Sequence, residues 1–358
     1  AELGQVGGSA TPPDENYYGS DFRLSINQGD IIESDFTGHI AVHEIGHALG
    51  LKHPFQEAGA MGVAGSPPFF DSSEDNYSKT MMSYTGRYGP YKFEYRPLDI
   101  AALQYLYGVN PLTRGENDTY WYREDALNFI WDGSGTDTID AYQSDSKVTI
   151  YLEPGFWGYN GNKKAETITS DGQITVNFGT VIEKLNGSRF NDKLFGNSAD
   201  NEINGDYGND VIFGGDGDDR LDRLFTGGDD KLAGGKGNDR YYVWSDSGDD
   251  TIIEYEDEGF DSIFTEIDFS LEEINNVEDL YVFSRDSALD LSLTGNELSN
   301  FIGPAKVGNC IIEGGPGIDT VYYGWYFTRD DCQIYKDNDF IKVKKSKITL
   351  LEGYLWDE

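Results

Sequence analysis

Histidine is scarce in this chain, four in 358 residues, yet three of the four fall in "HEIGHALGLKH", residues 43–53. His43 and His47 are four apart, so on a helix they project from one face and can reach a single ion. Gly50 lets the chain leave that helix sharply, and His53 can then return as a third nitrogen ligand. Three neutral imidazoles leave the fourth position of a tetrahedral zinc ion open for water, as in catalytic rather than structural sites. Glu44, beside the first ligand, is placed to take a proton from that water and hand it to a leaving amine. His39 falls outside the spacing and reads as a bystander or a support of the ligands. The bland alternative is a set of ordinary helix histidines, since a bare HExxH arises by chance. The extended pattern fixes five residue types over eleven positions, which makes it far more specific.

A second chemistry is written in a nine-residue repeat that begins at Gly187. In frame it reads "GSRFNDKLF", "GNSADNEIN", "GDYGNDVIF", "GGDGDDRLD" and, after Arg223 and Leu224, "FTGGDDKLA" and "GGKGNDRYY". Looser copies follow as "SDSGDDTII" and "EDEGFDSIF", with relatives starting at Asp132 and Gly314. Glycines at positions 1, 2 and 4 allow turn angles closed to other residues and direct carbonyls inward, and aspartate at position 6 adds a charged oxygen. The apolar residue at position 8 (Leu194, Ile203, Ile212, Leu221, Leu232, Tyr241) faces a narrow interior. Two nonapeptides make one coil, so turns from repeats two apart stack and can together supply the 6 to 8 oxygens that calcium takes. A flexible Gly/Asp linker has a similar composition, but a linker has no reason to keep an apolar residue in register over six units. The expectation is a solenoid that folds only with its ion.

The elements that position these residues are legible in outline. A helix is predicted through "TGHIAVHEIGHALG", with Thr37 as N-cap and Gly50 as its stop. A second is predicted in "RPLDIAALQYLYG", where Ile100, Leu103 and Leu106 or Tyr107 recur at helical spacing. "DFRLSIN" alternates like a strand. Between about 111 and 185, runs such as "KVTIYL" and "QITVNF" separated by turn residues read as antiparallel β structure. The formal charge of −37 excludes nucleic acid as a partner and calls for cations among the carboxylates. No apolar run is long enough to span a membrane, and no basic segment followed by an apolar one opens the sequence. Cys310 and Cys332 leave one bridge and two free thiols equally open.

H-E-x-x-H-x-x-G-x-x-H is the metzincin motif, and "TMMSYTG" resembles the methionine turn that follows it, with Met82 beneath the metal. Tyr84, two residues on, matches the serralysin branch, in which a tyrosine is a further, switchable zinc ligand that stabilises the tetrahedral intermediate. "RPLDIAALQYLYGVN" is similar to the helix closing the serralysin protease domain, and the nonapeptides resemble that family's RTX repeats. The resemblance covers about residues 1–265 and implies an α+β partial metzincin protease domain followed by an all-β RTX parallel β-roll or β-sandwich domain. The implied division is 1–110 for the C-terminal portion of the protease domain, 111–186 for a β-sandwich junction, 187–265 for the roll and 266–358 for a degenerate RTX-like module. In serralysin-like rolls, calcium takes oxygens from positions 2, 4 and 6 of one repeat and 1, 3 and 5 of the repeat two later. The implied sets are Ser188, Phe190 and Asp192 with Gly205, Tyr207 and Asn209; Asn197, Ala199 and Asn201 with Gly214, Asp216 and Asp218; and Gly215, Gly217 and Asp219 with Gly234, Lys236 and Asn238. The third set requires Arg223 and Leu224 to bulge out. Asp206, Gly208, Asp210, Gly228, Asp230, Gly235, Gly237 and Asp239 hold equivalent positions. A junction calcium site is implied at Arg114, Thr119, Asp132, Gly135, Asp137 and Glu183, although the loop "TRGENDT" is one residue longer than the family pattern.

Two functions follow. The first is a secreted zinc endopeptidase acting on proteins or peptides, in which His43, His47, His53 and Tyr84 hold zinc, Glu44 is the general base, and several calcium ions build the C-terminal domain. The loop with "SPPFFDSS" then borders the substrate pocket or is a plain connection. The second is a calcium-dependent extracellular binding protein with a relic protease site. Because 42 residues precede His43, a separate polypeptide carrying the rest of the protease domain is an expected partner. The family also implies a type I secretion apparatus that reads an uncleaved C-terminal signal, for which "ITLLEGYLWDE" is the candidate.

Overall fold

The computed structural model describes residues 8–9, 25–26, 35–54, 74–86, 93–161, 167–224, 227–245, 248–283, 290–303, 310–321, 332–337 and 340–345. "SPPFFDSS" and "ITLLEGYLWDE" lie outside these residues. The chain divides into two compact units, one of residues 1–110 with 166–171 and 177–180, the other of the remainder.

The first unit contains helices α1 (Asp35–Ala48) and α2 (Pro97–Tyr107) and an antiparallel pair of two-residue strands, Gly8–Ser9 and Ser25–Ile26. α1 starts two residues before the predicted cap, so Thr37 lies inside its first turn. Its end is a Schellman turn: Leu51 N–H donates to the Gly46 carbonyl at 2.9 Å and Gly50 N–H to the His47 carbonyl at 3.0 Å. Gly50 sits at φ 95°, the left-handed region that a side chain would disfavour. α2 opens with Pro97, whose missing N–H costs nothing in the first turn. Of the predicted stripe, Ile100 and Leu103 are half-buried, while Leu106 and Tyr107 are exposed.

The second unit is mostly β and is a parallel solenoid. Ten short strands form one sheet in the spatial order 320–321, 301–303, 279–282, 262–265, 240–243, 220–221, 202–204, 184–186, 138–140 and 119–121, and every neighbouring pair is parallel. A facing sheet runs 251–252, 231–236, 211–216, 193–195, 148–151 and 159–160, parallel except for its last pair. The solenoid therefore extends well before the consensus repeats, to Thr119, and beyond them to Val321. The antiparallel expectation for 111–185 holds for Val148–Tyr151 with Tyr159–Asn160 but not for the rest: Thr119–Trp121, Asn128–Ile130, Thr138–Asp140 and Val148–Tyr151 each pair parallel with a later strand. Apolar alternation shows which face is buried but not from which end the chain re-enters, and in a coil every re-entry is from the same end.

Position 8 is the interior position: Leu194, Ile203, Ile212, Leu221, Leu232 and Tyr241 are all fully buried. Arg223 and Leu224 are exposed, and the stacking offset lengthens from Lys193↔Val211 to Val211↔Lys231 without loss of pairing. The far end changes character. Cys310–Glu313 pairs antiparallel with Phe340–Lys345, which pairs antiparallel with Cys332–Asp337. The two cysteine-bearing strands are thus separated by a third.

Candidate metal centres

α1 carries His43 and His47 one turn apart, and its Schellman exit brings His53 back to them. The Nε2 atoms of His43 and His53 are 3.0 Å apart, those of His47 and His53 3.1 Å. Both helix rings are fixed from behind: His43 Nδ1 bonds the Met81 carbonyl at 3.0 Å and His47 Nδ1 the Leu51 carbonyl at 2.9 Å. A carbonyl only accepts, so the protons sit on Nδ1 and the two Nε2 atoms carry lone pairs. One proton on His53 cannot satisfy both. Three nitrogens at this spacing suit ligands around one ion, since zinc–nitrogen bonds of about 2.0–2.1 Å give a tetrahedral edge of about 3.3 Å. Burial, with smaller contributions from the neighbouring histidines, brings the His43 pKa down to about 3 against the opposing Met81 bond, which keeps the ring neutral. The Tyr84 hydroxyl is 2.9 Å from His53 Nε2, and its ring stacks on His43 at 5.5 Å. Glu44 is buried beside His43. His39 is buried against Tyr77, whose hydroxyl is 3.2 Å from its Nδ1.

Met82 is buried under α1, and a Cβ at Gly46 would stand 2.8 Å from its Sδ. Gly46 escaped the sequence reading, although a glycine inside a helix, which costs about 1 kcal/mol relative to alanine, was the available signal. Asp99 escaped it too. From the first turn of α2 it accepts from Thr80 Oγ1 and Met81 N–H at 2.6 Å and from Arg96 N–H at 2.8 Å, locking the methionine turn to the helix. Burial raises its pKa, and these bonds oppose the shift.

In the second unit, the aspartates at position 6 form two ladders. On one edge Asp192 N–H donates to Asp210 Oδ1, Asp210 N–H to Asp230 Oδ1 and Asp230 N–H to Asp250 Oδ1, at 2.7, 2.7 and 3.0 Å. On the other, Asn201, Asp219 and Asp239 donate in the same way to Asp219, Asp239 and Asp261, at 2.7, 2.8 and 2.8 Å. The Oδ2 atoms of Asp210, Asp219, Asp230 and Asp239 are buried with no hydrogen-bond partner. Three of them lie over the first glycine of their own repeat, where a Cβ at Gly205, Gly214 or Gly234 would collide with the carboxylate. Burial, reinforced by the adjacent carboxylates, raises the pKa of Asp210 to about 9, Asp219 to about 8, and Asp230 and Asp239 to about 7. Anionic oxygens buried without partners need a cation or protons, so these residues fit calcium.

The turns of the implied sets stack as neighbours. A Cβ at Gly208 would meet the Phe190 carbonyl at 2.7 Å and one at Gly217 the Ala199 carbonyl at 2.7 Å; Gly217 N–H donates to the Lys236 carbonyl at 2.7 Å. The first rung of each ladder differs from the rest. Asp192 spends its oxygens on Val148 N–H and on Ser188 N–H and Oγ, and Asn201 Nδ2 donates to the Ile182 and Glu183 carbonyls at 3.2 and 3.4 Å. Asp222, at no consensus position, is wholly buried, with its pKa raised well above the usual range by burial and by Asp230.

At the junction, Asp132 and Asp137 come together with Asp118, one carboxylate oxygen from each lying within 4.8 Å of the others. Glu183 Oε2 accepts from Asp137 N–H at 2.8 Å, and Gly135 packs against the Glu116 carbonyl. Thr119 begins a strand and is exposed. The Arg114 side chain donates Nη1 to the Trp131 carbonyl at 3.1 Å and lies over the Trp131 ring at 4.5 Å. Asp118, inside the loop "TRGENDT", was not among the residues that the family pattern implied.

Residues 184–222 and 226–252 match the RTX calcium-binding nonapeptide repeat family, in four copies. The chain is similar to a serralysin of Proteus mirabilis, 34% identical over 184 residues that make up 45% of this chain and 36% of that protein. It is also similar to serralysin C of Dickeya chrysanthemi, 35% identical over 42% of this chain and 34% of that one. Metallopeptidase AprA of Pseudomonas marginalis is 33% identical over 45% and 37% respectively. The matches thus span little more than a third of these relatives. The ladders of bare carboxylates, the repeat match and the relatives agree: this is a serralysin-like protein with RTX calcium-binding repeats.

Proposed function

We propose that the chain carries the metal site of a secreted zinc-dependent endopeptidase whose C-terminal part is folded by calcium. The observation that carries this reading is the convergence of the His43, His47 and His53 Nε2 atoms, with two rings locked from behind by backbone carbonyls. On this reading residues 1–110 are the C-terminal portion of a metzincin-type domain. Zinc held by the three rings would supply Lewis-acid polarisation of a scissile carbonyl and a lowered pKa for water in the site. Glu44 takes the proton of the attacking water and delivers it to the leaving amine. Tyr84, exposed and within hydrogen-bond reach of His53, swings from the ligand cluster to donate its hydroxyl proton to the developing oxyanion. Calcium-dependent folding suits export, because a chain that stays unfolded inside the cell can thread through a type I apparatus and fold outside.

The test is cleavage of casein by the purified protein. Glu44→Ala should lower turnover by about 10²–10⁴-fold while zinc content stays at one per chain. Absence of zinc from the wild type would end the hydrolytic reading and leave the calcium-built scaffold. Zinc binding without cleavage would favour an extracellular binding protein, or a site that needs a separate polypeptide to complete it.

A further inference from the structure

The chain from "GGKGNDRYY" onward departs from the repeat at two places, and the two departures meet. The interior position held by leucine or isoleucine in the five preceding repeats is Tyr241. Two residues past the Leu232↔Ile252 pair, Glu254 stands beside Gly234, in the row where Gly214 precedes it. Gly234 N–H donates to the Tyr241 hydroxyl at 2.6 Å, and that hydroxyl donates to Glu254 Oε1. The glutamate is thereby turned into the solenoid rather than out to solvent, and only 8% of its surface is exposed.

There it meets two rungs of the ladder. Asp239, Glu254 and Asp261 each place a carboxylate oxygen within 4.8 Å of the other two, and all three are buried. Clustering alone decides nothing, because acidic groups often gather without a ligand. The second observation is that Glu254 Oε2 and Asp239 Oδ2 are buried and have no hydrogen-bond partner, although Tyr241 and Asp219 N–H satisfy the other oxygen of each group. Among the described residues none of the three is ion-paired. Carboxylates desolvated in this way are costly unless a cation lies between them. Ligand oxygens stand about 2.3–2.6 Å from a calcium ion, so three oxygens within 4.8 Å of one another can share one.

We propose that Asp239, Glu254 and Asp261 form a calcium site of three side-chain carboxylates, with Tyr241 as its positioning residue. It differs from the glycine-turn sites in drawing a charged ligand from a residue outside the nonapeptide consensus. The inference rests on the calcium reading of the roll and deepens it. The extra carboxylate makes this site more charged than those built mainly from carbonyls, so its ion is among the last to leave as calcium is withdrawn.

Calcium bound to the full chain is counted by native mass spectrometry and its affinities measured by titration. Glu254→Gln should bind one ion fewer than the wild type, with the remaining affinities unchanged. In chelator its roll should be at least as stable as the wild type's, because a buried charge has gone; a merely structural glutamate would destabilise the roll in both conditions. An unchanged ion count with unchanged affinities overturns the site. Should Glu254→Gln not fold, Tyr241→Phe decides: one ion weakened about 10–100-fold supports the proposal, and equal affinity for every ion sinks it. A wild type that binds no calcium at all would instead remove the calcium reading of the whole roll.

Discussion

The three histidines owe their alignment to atoms that never touch the metal. Backbone carbonyls of Met81 and Leu51 hold the Nδ1 protons of His43 and His47, and the Met81 carbonyl is itself fixed because Asp99 holds the adjoining turn. Asp99→Ala would strand three donors, those of Thr80, Met81 and Arg96, two of them in fully buried backbone. A single unsatisfied buried group costs about 1–3 kcal/mol, so this variant should lose at least that much stability. It should also release zinc more readily, because the carbonyl that orients His43 is no longer held. Thermal unfolding together with a zinc dissociation constant checks both effects. A variant that melts like the wild type and keeps its zinc would show that the turn holds without the clamp.

At the scale of elements, the roll places two kinds of group in alternation along each coil: an aliphatic side chain that needs no partner and a carboxylate that needs a cation. Ile212 is fully buried between the sheets, so Ile212→Ala should cost about 2–5 kcal/mol, read as a higher calcium concentration needed for half-folding. The carboxylates set the pH behaviour. Asp210, Asp219, Asp230 and Asp239 have pKa values raised to between about 7 and about 9 in the metal-free fold, against about 3.9 in an unfolded chain. Protons therefore favour the metal-free roll, and that stability is fully present below the unfolded value and lost as pH rises through the folded ones. In chelator the β-sheet circular dichroism should be stronger at pH 5 than at pH 9. With calcium bound the order reverses, because acid protonates the ligands and expels the ion. A chelated roll that is equally folded at both pH values would mean the buried oxygens have partners other than cation or proton.

For the whole molecule, a formal charge of −37 over 358 residues works against compaction unless counter-ions are held inside it. Calcium removal at neutral pH should therefore abolish most of the β signal of the second unit. Molar sodium chloride should restore only part of it, since screening reduces repulsion between exposed charges but supplies no ligand to buried ones. A far-ultraviolet spectrum unchanged by chelator at neutral pH would sink this expectation.

Much of this was legible in the chain itself. The spacing of His43, His47 and His53 around Gly50 specified a helix, an exit bend and a convergent donor set, because each feature depends on neighbours within a dozen residues. The nonapeptide period likewise specified a solenoid with Leu194 to Tyr241 inside. What depended on distant contacts was hidden. Strand direction between 111 and 185 is set by how each coil re-enters the sheet, and the meeting of Asp118 with Asp132 and Asp137 by the path of the junction loop. Asp99 acquires its role only by meeting a turn some eighteen residues earlier, and Glu254 only because Tyr241 of the preceding coil turns it inward. Local spacing determines which groups an element presents. Only the folded chain decides which buried oxygen is left without a partner, since that depends on every donor the other coils bring near.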